Sequence, residues 1–140
     1  MKIDIRIAAI LAIGALAGCE EISQHQFAQP SRDWRVRSGQ LMYTSSTTRL
    51  IGEVVVRFSK GGDFELTFSK RPGVTLLSLR QDVNFAEAKG GMAGPGWAGP
   101  VANAPAQLQG WLKLRDTLFR AQDRHVVRQV MGTETFLFRF

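Results

Sequence analysis

A single cysteine, Cys19, stands in these 140 residues, so no disulfide can staple the fold. Histidine is scarce too: His25 and His125 are the only two, and neither sits among spaced carboxylates or cysteines that would hold a metal. No Gly-x-Ser-x-Gly elbow occurs, and no glycine loop ends in Lys-Ser or Lys-Thr. The stretch Gly90 to Gly99 is rich in glycine but lacks the strand, the basic residue and the helix start that phosphate binding requires. Asp63, Glu65, Asp82 and Glu87 are the carboxylates with acid–base potential, and at polar strand positions their ordinary role is solvation. The sequence therefore assigns no catalytic residue, no metal and no cofactor. A distributed active site is the one enzymatic arrangement these absences leave open. The apolar run Ile7 to Ala17 has 11 residues, whereas a membrane-spanning helix needs about 20.

That run has a different use. Lys2 and Arg6 precede it, and the small residues Ala17 and Gly18 follow, which is the layout of a secretory signal with its cleavage site. Leu16-Ala17-Gly18-Cys19 resembles the lipobox of bacterial lipoproteins. The resemblance implies removal of residues 1–18, lipidation of Cys19 and stable membrane attachment through several acyl chains. Glu20 stands where an Asp often retains such proteins at the inner membrane, so the expected address is the inner leaflet of the outer membrane, facing the periplasm. Residues 19–31 then form the lipidated cysteine and a mostly polar tether, and 32–140 a single domain. Cleavage takes the net charge from +6 to +5, because Lys2, Arg6 and Asp4 are lost. Such a balance suits anionic headgroups, cell-wall polymer or acidic partners, with plain solvation as the alternative. Export removes nucleic acid as a partner.

Within the domain several stretches alternate with the period of a half-buried strand. Trp34, Val36 and Ser38 share one side of a first strand, with Arg35 and Arg37 on the other. Val54, Val56 and Phe58 face one way, and beyond the turn Lys60-Gly61-Gly62-Asp63 the residues Phe64, Leu66 and Phe68 repeat the pattern. Arg71-Pro72-Gly73 predicts the next turn, Val74 to Arg80 a further strand and Val83 to Lys89 a weaker one. From Gly90 to Pro105 the glycines and prolines exclude a long helix and speak against a regular strand. Trp97 stands alone there, either as a plug for the end of the core or as a surface aromatic offered to a ligand.

Ala104-Pro105 opens the convincing helix, with Leu108, Trp111, Leu112, Arg115, Leu118 and Phe119 at steps of three and four. The stripe is expected to pack on the sheet; a lipid-seeking or partner-seeking helix is the alternative. Phe136-Leu137-Phe138-Arg139-Phe140 resembles the closing strand of an outer-membrane β-barrel, but the remaining chain is too short for eight spanning strands. The tail is read as a strand of the same sheet. The fold class is α+β, an antiparallel sheet packed against one amphipathic helix.

An anchor, a short tether and a sheet lidded by a helix are similar to the LolA/LolB lipoprotein-localisation family. Gly52-Glu53-Val54, Gly62-Asp63-Phe64-Glu65-Leu66 and Pro105-x-x-Leu108-x-x-Trp111-Leu112 carry the resemblance, the last with one residue fewer after the proline. It implies a half-open, barrel-like sheet and a groove for lipid or lipoprotein acyl chains. The lining would be Val54, Val56, Phe58, Phe64, Leu66, Phe68, Leu77, Leu79, Leu108, Trp111 and Leu112, which are equally what an ordinary core requires. The competing expectation is a structural lipoprotein serving an envelope protein complex, with a filled core and a sticky surface near Trp97.

Overall fold

The computed structural model describes residues 25–140. Six strands run as a meander: β1 (Arg35–Thr44), β2 (Arg49–Phe58), β3 (Phe64–Arg71), β4 (Val74–Gln81), β5 (Phe85–Lys89) and β6 (Trp97–Pro100). The helix α1 (Ala106–Arg120) follows, then the hairpin of β7 (Val126–Met131) and β8 (Glu134–Arg139). Because β8 pairs with β1, the antiparallel sheet has the order β6-β5-β4-β3-β2-β1-β8-β7. Its edges β6 and β7 do not pair with each other, so the sheet does not close into a barrel. The α+β class and the sheet-on-helix packing are as the sequence predicts.

The turns follow local side-chain chemistry. At the β2–β3 turn the Ser59 hydroxyl accepts from the backbone N–H groups of Gly61 (3.2 Å) and Asp63 (3.1 Å) and donates to the Asp63 carboxylate (2.7 Å). The Asp82 carboxylate accepts from the N–H groups of Asn84 and Phe85 at 2.9 and 2.8 Å, closing the β4–β5 turn. Burial pushes that carboxyl upward, but these two bonds and the pairing with His25 outweigh it and hold it below the usual carboxylate value.

The face of the sheet that packs against α1 is almost wholly apolar. Leu41 and Tyr43 of β1, Val54, Val56 and Phe58 of β2, Phe64, Leu66 and Phe68 of β3 and Phe136 and Phe138 of β8 meet Leu108, Trp111, Leu112, Leu114 and Leu118 of α1. Each such burial contributes about 1.5–3 kcal/mol. Two glycines permit the close approaches. A Cβ on Gly52 would lie 2.2 Å from the Ser69 carbonyl oxygen, beside the irregular register of β3 against β4. A Cβ on Gly110 would collide with the Glu134 carboxylate and lie 3.2 Å from the Phe136 ring, so the missing side chain lets α1 lie close on β8 there.

Two features go beyond the sequence reading and one departs from it. The inward side of β1 is the one carrying Arg37, Leu41 and Tyr43, and Val36 is 53% exposed on the outer face. The arginines are accommodated because Arg37 lies 4.0 Å over the Phe140 ring and donates to the carbonyls of Ala121 and Arg124, while Arg35 reaches Gln122 and Asp123. The glycine-rich stretch holds a regular strand after all, β6, since a short edge strand needs only one row of partners. And β7, which the sequence reading passes over, covers β8.

Candidate functional site

The eleven groove candidates lie together and out of solvent. Val54, Val56, Phe58, Phe64, Leu66, Phe68, Leu77, Leu79, Leu108, Trp111 and Leu112 are all at most 5% exposed and belong to one cluster. Trp111 occupies its middle, with ring centroids 4.9 Å from Tyr43, 5.8 Å from Phe68 and 4.9 Å from Phe136. The interval between sheet and helix is thus filled by side chains.

Two polar anchors hold α1 in place. Gln81 of β4 donates to the Leu112 carbonyl (3.1 Å), and Gln129 of β7 donates to the Gly110 carbonyl (2.9 Å) while accepting from the Thr117 hydroxyl (2.6 Å). Both glutamines are buried, and the Gln81 Oε1 has no hydrogen-bond partner. At the rim of the core the Tyr43 hydroxyl donates to Glu134 at 2.5 Å. Burial, then the bond to Glu134 and its charge, push the phenol up to about 12.

Open space is found beside α1 rather than beneath it. Between the β2–β3 turn and the C-terminal half of α1 lies a cleft of ≈ 360 Å³, within the range of small-molecule sites. Phe58, Phe64 and Phe119 give it an aromatic floor, and Phe119 is 39% exposed. Lys60, Arg115 and Arg120 bring cations to it, and Asp63 and Asp116 carboxylates. Neither acid is uncommitted: Asp63 takes the Ser59 hydroxyl, and Asp116 accepts from Arg115 at 3.0 Å. The Arg115 Nε also donates to the Gly62 carbonyl at 2.7 Å, fixing its guanidinium between helix and turn. A second cleft of ≈ 330 Å³ adjoins the first along α1, sharing Arg115 and Asp116 with it, where Gln81, Val83, Val101, Leu112 and Lys113 meet.

Comparison with protein-family models finds no match, and neither does comparison with curated proteins. Chemistry must therefore be read from geometry alone.

Of the eleven groove candidates, only Phe58 and Phe64 reach the first cleft, and Leu112 the second; of the acid–base candidates, Asp63 lines the first. Trp97 sits half-buried on the inner side of the edge strand β6, packed against the core. Glu65 lies between Arg57 (3.7 Å) and Arg80 (3.6 Å) on the outer face, and Glu87 is 3.8 Å from Lys89, so these carboxylates do not converge on a cleft. Among the described residues there is no cluster of metal-ligating side chains, and no helix is long and apolar enough to cross a membrane. Cys19 lies outside the described residues. Sequence reasoning missed the cationic part of the cleft; its one signal was Arg115, a charge set within the apolar stripe of the helix.

Proposed function

We propose that the chain is a lipid-anchored, non-enzymatic protein of the bacterial envelope, held by acylated Cys19 on the periplasmic side of the outer membrane, and that it binds lipid or lipoprotein acyl chains in a LolB-like manner. The observation that carries this reading is the ≈ 360 Å³ cleft, whose aromatic floor of Phe58, Phe64 and Phe119 is rimmed by Lys60, Arg115 and Arg120. An amphiphile with an apolar tail and an anionic group has both of its parts matched there. Burial of acyl carbon contributes about 0.8 kcal/mol per CH₂, so binding needs no catalytic group. Deeper entry, along the eleven buried residues, requires α1 to lift from the sheet and Trp111 to leave its ring partners.

The test is titration of the mature protein with a fluorescent acyl probe, beside Phe119→Asp. The reading expects saturable binding by the parent and at least a tenfold loss in the variant, whose changed residue is already partly exposed. Binding that the variant leaves untouched places the ligand elsewhere and sinks this cleft. A second reading, a structural lipoprotein of an envelope protein complex, is favoured by the filled interior around Trp111. It expects no probe binding by the parent at all.

A further inference from the structure

The polypeptide leading into the domain does not leave it as a loose tether. The His25 ring stacks on Phe85 (centroids 4.1 Å apart, planes at 22°), meets the Phe27 edge at 4.7 Å, and its Nε2 lies 2.7 Å from the Asp82 carboxylate. Phe27 in turn lies beneath the Arg80 guanidinium, 5.2 Å from its centroid. Residues 25–27 thus strap onto the outer face of β4 and β5 at the end of the sheet where the β4–β5 turn lies.

The strap fixes an orientation. We infer that the end of the sheet bearing the β2–β3 and β4–β5 turns is a membrane-docking surface, held against the anionic lipid headgroups of the bilayer that carries the anchor. The inference rests on the lipidation of Cys19 proposed above. Six residues from Cys19 to His25 reach at most about 20 Å even when fully extended. A ten-residue strand such as β2 is about 33 Å long. With His25 docked, the opposite end, where the turns at Ser45–Thr48, Pro72–Gly73 and Gly132–Thr133 lie, is too far along the strands to rest on the membrane.

The near end is chemically suited to that contact. Val83, 61% exposed at the tip of the β4–β5 turn, and Phe119 project apolar surface. Lys60, Lys113 and Arg120 stand around the two clefts and have no acidic partner among the described residues. Most acids of this end are engaged, Asp63 by Ser59, Asp82 by His25, Asp116 by Arg115 and Asp123 by Arg35, while the exposed Asp33 has no ion-pair partner among the described residues. Arg49, Lys70 and Arg71 put positive charge at the far end as well, so charge does not choose between the ends. The strap does. The same orientation brings the Phe58–Phe64–Phe119 cleft, which adjoins the β2–β3 turn, to the membrane-facing end.

The experiment uses the mature lipidated protein in vesicles of phosphatidylcholine and phosphatidylglycerol containing a nickel-chelating lipid. Lipidation occupies the native thiol, so Val83→Cys and, separately, Thr47→Cys each offer one site for a nitroxide. The inference expects nickel at the headgroups to enhance relaxation at position 83 at least fivefold more than at position 47. Equal enhancement at both, or a stronger effect at 47, in protein that floats with the vesicles overturns the docking face alone. Protein that fails to float overturns the lipid anchor, and the docking face with it.

Discussion

Replacing Trp111 by alanine tests whether the interval between sheet and helix is filled as described. The indole is 2% exposed and touches aromatic rings from β1, β3 and β8 at once, so little around it can collapse into the space it leaves. Truncations of a buried Trp cost about 3–5 kcal/mol, and the rigid ring partners here argue for the upper half of that range. A small domain has roughly 5–15 kcal/mol in total, so the variant should fold but only marginally. With a shift of about 4–8 °C per kcal/mol, its Tm should fall on the order of 15–40 °C. Urea unfolding followed by far-UV circular dichroism gives the free energy directly; the midpoint should drop with an unchanged slope. A loss below about 1 kcal/mol would refute the reasoning, since it would mean that Trp111 is not wedged among three rings.

Four further perturbations have defined outcomes. Gly52→Ala drives a methyl into the Ser69 carbonyl oxygen and should cost at least about 2 kcal/mol by thermal melting, although alanine is the commoner strand residue of the two. Gln81→Met removes a buried oxygen that has no partner and should fall within about 1 kcal/mol of the parent, whereas Gln129→Met strands the Thr117 hydroxyl and should cost about 1–3 kcal/mol; equal losses would contradict the assigned bonds. Tyr43 is the only tyrosine, so phenolate absorbance reports it alone. Its folded pKa lies above the unfolded one, so its contribution to stability is full below pH 10 and is lost as the pH rises toward about 12. Ionisation near pH 12 in buffer and near pH 10 in urea is the expected pair of midpoints, and coincident midpoints would contradict the Glu134 bond.

Local chemistry decided how much of this was legible beforehand. The β2–β3 hairpin declared itself because Val54-x-Val56-x-Phe58 and Phe64-x-Leu66-x-Phe68 alternate strictly around a glycine turn, and α1 because its apolar residues keep helical spacing over four turns. Which side of β1 faces the core was not legible. Its N-terminal half, taken alone, alternates Trp34, Val36 and Ser38 against two arginines; only Leu41 and Tyr43, together with the carbonyls that α1 and the following turn present to Arg37, decide the side. Pairing at the sheet's edge overrode the breakers around β6, an effect of neighbours that no local window contains. The cleft was illegible for a similar reason. Lys60 and Arg120 are 60 residues apart in the sequence and meet only because the β2–β3 turn lies beside the C-terminal half of α1. Likewise the docking of His25 on Phe85 and Asp82 joins a polar tether to a turn far along the chain.

The most direct test of an amphiphile-binding envelope protein is mass spectrometry of lipid extracted from the protein after purification from its own membranes, compared with Phe119→Asp handled in parallel. The account predicts lipid beyond the proposed covalent chains on Cys19 at near one molecule per parent protein, and its loss from the variant. A stable parent carrying no lipid other than its covalent chains would contradict acyl binding and leave the filled interior as the framework of a protein-interaction module.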